Sequence, residues 1–104
     1  MKPVILSADG DSMVYSVPDA VAEHLEKFCI QFCTGWLWDS PQAEKYRKDF
    51  GGYQGVSFNE ADFIEYLNKY RFPETPSVFV KNLGWTGLGE DLPEEYQGIP
   101  YYNF

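Results

Sequence analysis

Residues 18–38 read PDAVAEHLEKFCIQFCTGWLW, the one run long enough, and apolar enough on more than one side, to be a central helix. Val21, Leu25, Phe28, Cys29, Phe32 and Trp36 recur at steps of three and four, which sets all six along one side of a 3.6-residue helix. Pro18 supplies a fixed φ suited to a first helical position, and Asp19 and Glu23 carry the charge a helix N-terminus favours. Glu23, Lys27 and Gln31 form a polar strip, with the acid N-terminal to the base. Ile30, Cys33 and Leu37, joined by Trp38, make a second apolar strip, whereas an ordinary surface helix has only one. The C-terminal half of this helix is therefore expected to be covered twice, by the chain's own tail or by another molecule.

The flanks supply a sheet and further helices. Val4 to Ala8 is a short apolar run, and Met13, Tyr15 and Val17 alternate as a half-buried strand should. Asp9-Gly10 between them predicts a hairpin with a two-residue type I′ turn. Downstream of the central helix, Ser40 and Pro41 read as N-cap and first position of a short helix that stops by Gly51-Gly52. Asn59 caps a second main helix whose apolar face is Phe63, Ile64, Tyr66, Leu67 and Tyr70, with Glu65 and Lys69 at the favourable spacing. Pro73 and Pro76 end it, and residues 77–81 read as a third strand with Val78 and Val80 on one face. The glycine-rich, acidic and aromatic tail beyond Asn82 predicts an irregular packed segment with at most one helical turn after Pro93. The expectation is a single α+β domain over residues 1–104: an N-terminal hairpin, a third antiparallel strand, two main helices and one short helix.

Composition narrows the function. With 104 residues, 44% hydrophobic and 18% aromatic, the chain has enough bulky side chains for one core. No run is long enough to span a bilayer, and the start of the chain lacks the pattern of a signal peptide. The net charge of −8 disfavours nucleic acid and anionic membranes, which demand basic patches, and favours a basic partner. Cys29 and Cys33, four apart in one helix, are poorly placed to bridge each other, so the chain reads as reduced and cytosolic.

Candidate chemistry is sparse. Asp9-Gly10-Asp11 after an apolar strand is similar to the D-x-D pair of haloacid-dehalogenase-type phosphatases, but the chain is too short for that fold and turn chemistry accounts for the residues. The i, i+4 thiols of Cys29 and Cys33 would need two more ligands for a metal site, and His24 lies too far round the helix to help. His24 has no nucleophile placed by sequence. Gly51-Gly52-Tyr53-Gln54-Gly55 lacks the lysine of a phosphate-binding loop. The acids Glu90, Asp91, Glu94 and Glu95 lack calcium-loop spacing but would attract a basic protein. Trp36, Trp38, Trp85, Tyr101 and Tyr102 divide between core filling and anchoring a partner.

The stretches PVILSADGDSMVYSVPD at 3–19 and SVFVKNLGW at 77–85 resemble small bacterial proteins of unknown function, with similarity along most of the chain. The resemblance implies a bacterial cytosolic origin and nothing about activity. We therefore expect an intracellular, acidic protein-binding module, of inhibitor or immunity type, acting on a basic partner. Its expected contact set is Ile30, Leu37, Trp38, Trp85, Glu90, Asp91, Glu94 and Glu95, with no catalytic residue, cofactor or metal. The alternatives are a small enzyme whose groups, among them Asp9, Asp11, His24 and the tail acids, meet only in the fold, and a homodimer built on the second helical strip.

Overall fold

The structure, a computed structural model, describes residues 1–104 and has the α+β architecture expected. Strand β1 (Lys2–Ser7) pairs antiparallel with β2 (Met13–Val17), in a register that sets Val4 opposite Tyr15 and Ile5 opposite Val14. The connection is not a two-residue turn. Ala8 to Ser12 all lie outside the strands, Asp9 has φ 55, and Gly10 stays out of the left-handed region. A type I′ turn needs φ > 0 at both central residues. Instead the loop is tied down laterally: the Asp9 N–H donates to Asn103 Oδ1 at 2.8 Å, and Asn103 Nδ2 donates to Asp9 Oδ1 at 2.9 Å.

The main helical run, α1 (Asp19–Glu23) and α2 (Leu25–Ile30), is continued by a wide π segment at Gln31–Trp36 and by α3 (Leu37–Asp39). A π segment holds one residue more per turn than the 3.6 of an α-helix, so every later side chain is rotated back by one position. The slot that a uniform helix would give Trp36 goes to Leu37. Leu37 is accordingly fully buried and Trp36 half-buried. The second main helix repeats the device, with α4 (Glu60–Tyr66) running into a π segment at Leu67–Arg71 that the Phe72 N–H closes on the Leu67 carbonyl at 2.7 Å. Phe72 then packs beside Phe28, while Tyr70 is left half in solvent. At its start, Asn59 and Asp62 form a reciprocal capping box.

Both helical runs cover one face of the sheet, against Val4, Leu6, Tyr15 and Val17. Phe32, with no exposed surface, is the centre of that core: its ring meets Trp36, Phe58, Phe63, Tyr66 and Phe104 at centroid distances of 5.1 to 6.0 Å. Between the helices, Ser40 caps a 3₁₀ turn at Pro41–Tyr46, as its sequence suggests. The chain then forms a small hairpin of β3 (Arg47–Asp49) and β4 (Gln54–Val56), and the helix does not continue to Gly51-Gly52. The two glycines occupy the hairpin tip at φ 67 and 102, which is where their freedom is used.

The last strands complete the sheet in the order β5-β2-β1-β6. Strand β5 (Val78–Asn82) joins antiparallel to β2, as expected of residues 77–81. The tail, irregular by its sequence, supplies a fourth strand, β6 (Tyr101–Asn103), parallel to β1. Its Ile5–Tyr101 and Leu6–Tyr102 pairs extend the two faces of β1. Before β6 the chain crosses the sheet face opposite the helices, and Ile5 and Val14 on that face are buried. There Ser12 and Thr86, both buried, share a 2.6 Å hydroxyl hydrogen bond, and Gly89 lies so close to the Tyr101 ring that a Cβ would approach it to 3.4 Å.

Phe32→Ala is expected to destabilise the domain by about 3 to 5 kcal/mol, because the cavity opens among rings that cannot all close on it. His24→Ala, at an exposed junction between α1 and α2, is expected to do little. Denaturant melts of the two variants check this, and equal stabilities would refute the assignment of the helix faces. Removing residues 99–104 takes away β6 and Phe104, and the melting midpoint should fall by about 10 °C or more, since about 1 kcal/mol moves a domain of this size by about 4 to 8 °C.

Candidate functional site

The sheet has one long open edge, and it is the most unusual surface of the molecule. All five residues of β5 are exposed, including three consecutive apolar ones: Val78 at 53%, Phe79 at 55% and Val80 at 53%. An apolar run in the middle of a domain sequence normally goes inward; here neither face of the strand is covered. The reason is positional. Strand β5 lies outermost beside β2, and its register slips between Val14 and Tyr15, leaving Val80 without a partner. The Phe79 ring meets Tyr15 edge-on at 5.7 Å and so carries the aromatic core out to the edge.

The strand is nevertheless held firmly at both ends. Asn68 on the second helical run clamps the Ser77 backbone, accepting its N–H at 2.6 Å and donating to its carbonyl at 3.1 Å. At the other end the Leu83 N–H donates to the Ser12 carbonyl and the Ser12 N–H to the Gly84 carbonyl, each at 2.8 Å. Trp85, between pinned Gly84 and buried Thr86, is 62% exposed, and Leu88 comes soon after at 49%. Exposed apolar residues therefore recur, beyond β5, in the loop that leads to the acids.

Of the sequence-derived contact set, Trp85, Glu90, Asp91, Glu94 and Glu95 come from this single segment, and all five are exposed. Glu90 and Asp91 sit in the turns anchored on the Thr86 carbonyl, and Glu94 and Glu95 open a 3₁₀ turn at Glu94–Tyr96. Ile30 and Trp38, at 40% and 42% exposed, stand on the main helical run instead. Leu37 drops out: it is buried beside Arg47, whose guanidinium donates to its carbonyl at 3.0 Å, and it has no surface for a partner. The second helical strip is thus split. The tail reaches its Cys33 flank through β6, Leu37 turns inward, and Ile30 and Trp38 remain at the surface. Val78, Phe79, Val80 and Leu88 are absent from the sequence-derived set; the run at 77–81 reads only as a third strand with Val78 and Val80 on one face.

The other candidates do not converge. Asp9 is engaged with Asn103, Asp11 accepts from Asn82 Nδ2 at 3.2 Å, and His24 stands exposed at the helix junction. No three His, Cys, Asp or Glu side chains gather closely enough to hold a metal ion. The main hollow, about 330 Å³, lies between the Lys2–Glu23 ion pair and Gly98–Pro100 and brings no nucleophile or acid–base pair together. No helix is long and apolar enough to cross a membrane. No protein-family model matches the chain, and no curated protein and no solved structure matches it either.

Burial pushes the Cys29 thiol far up, with the neighbouring Cys33 and Glu26 adding to it, and burial also raises Cys33, which is half-buried beside Tyr102. Both are poor thiolates at neutral pH. Native protein should therefore react slowly with a maleimide at Cys33 alone, with Cys29 labelled only after denaturation, as intact-mass spectra would record. Elemental analysis of the same preparation should find no stoichiometric zinc or iron.

Proposed function

We propose that this chain is an intracellular, cytoplasmic protein-binding module of inhibitor or immunity type, which holds a basic partner through the β5 edge and the acidic loop beyond it. The observation that carries the reading is the open, apolar and rigidly anchored edge strand, continued by a segment with a one-sided charge. From Phe72 to Phe104 the acids are Glu74, Glu90, Asp91, Glu94 and Glu95, and the only base is Lys81. Apolar contact at the centre with charge around it is the division of labour found in protein interfaces. The tail carboxylates steer a basic partner and select against acidic ones, and they contribute less to the final affinity than the apolar strand does.

Affinity capture from lysate of the source cells, compared with a variant carrying Glu90→Gln, Asp91→Asn, Glu94→Gln and Glu95→Gln, tests the reading. The captured protein should be basic, and its capture should weaken steeply as salt rises past the point where the screening length falls to about 8 Å. The neutralised variant should capture it more slowly and with a shallower salt dependence. A neutral or acidic partner, held equally by both proteins at every salt concentration, would overturn the proposal.

A further inference from the structure

Resting on that reading, we infer that β5 takes an extended segment of the basic partner as an added strand, with the segment's apolar side chains on Phe79 and Trp85 and its lysines or arginines toward the flanking carboxylates. In strand addition the main chain provides the affinity and alternate side chains the selectivity. The outer side of β5 has no strand beside it, so its backbone groups on that side are open to pairing. Asn68 and Ser12 hold the ends of the strand, so little ordering remains to be done when a second strand arrives. The apolar floor is present in Val78, Phe79 and Val80.

Charge selects the occupant. Asp11 accepts from Asn82 at the far end of the strand, and Glu74 precedes the strand in the sequence. A second copy of this chain is a worse match, because edge-to-edge pairing would bring two chains of net charge −8 together. The opposite edge, β6, pairs with β1 through only three residues and offers a shorter template.

The test uses full-length protein and three synthetic peptides: one alternating lysine with valine, its glutamate–valine counterpart, and the lysine–valine peptide N-methylated at every residue, so that neither of its edges can pair. Amide exchange and fluorescence anisotropy are read together. The lysine–valine peptide should slow exchange across Val78–Asn82 and bind about tenfold tighter than the other two. Phe79→Asp should weaken it by about tenfold although the change adds negative charge, and Val80→Asp provides the same comparison if the first variant melts early. Undiminished binding of the N-methylated peptide, or binding that leaves the β5 amides unprotected, would overturn strand addition and leave the basic-partner reading standing. Equal binding of the glutamate–valine peptide would sink the basic-partner reading while leaving a strand site. A wild-type dimer with β5 already protected would overturn the inference in favour of a second copy.

Discussion

The aromatic node at Phe32 is the constraint on which the other elements depend. Its ring touches rings from its own helix, from the second helical run, from the segment before that run and from the C-terminal residue. Only 24 of 104 residues are buried, so a small number of large side chains must supply most of the stabilisation. Edge-to-face and tilted pairs of this kind add about 0.5 to 1.5 kcal/mol each beyond the area they bury. Both helical runs widen into π segments where their rings meet, and the widening brings Leu37 and Phe72 inward. Thr34 sits in the first widened turn and donates its hydroxyl to the Ile30 carbonyl at 2.6 Å, giving that carbonyl a partner.

Once the helices are committed to one face of the sheet, the rest of the chain must cover the other. The segment from Leu83 to Pro100 does so with no regular structure beyond the 3₁₀ turn at Glu94–Tyr96, fastened by the buried Ser12–Thr86 pair and by the return of β6 alongside β1. The far edge of the sheet has no strand beside it. A flattened body, 45 × 32 × 19 Å, is the outcome, and its open side is β5. This geometry makes the exposed apolar residues consecutive, since an edge strand with neither face covered exposes odd and even positions alike.

The charge distribution shows the same division. The basic side chains are mostly engaged on the helical side: Lys2 with Glu23, Lys45 and Lys69 with Glu65, and Arg71 with Tyr66 and Gln31. Lys69 and then Lys45 hold the Glu65 carboxyl below its ordinary range. The tail acids have no such partners and are exposed on the segment that follows β5 in the sequence. A surface of this kind repels copies of itself and attracts cations, which is the physical content of the proposed function.

Local period and punctuation settled much by themselves: the central helix and its buried stripe from Val21 to Phe32, the Asn59 cap, the proline stop, the N-terminal hairpin and the strand near residue 78 all depend on short-range rules. Five of the eight expected contact residues, Trp85 and the four acids, fall on one segment, because neighbours in sequence remain neighbours in a loop. The π segments are not legible, for one extra residue in a turn is stabilised by ring packing across helices and leaves no local signature. Leu37 accordingly reads as part of a second strip off the main core stripe, free to meet a partner, and is in the core. The parallel β6 is hidden for a related reason, its pairing with β1 spanning nearly the whole chain. The β5 edge was decided by tertiary structure alone: whether Val78, Phe79 and Val80 face a core or water depends on what lies beside the strand, and nothing within the strand encodes the absence of a neighbour.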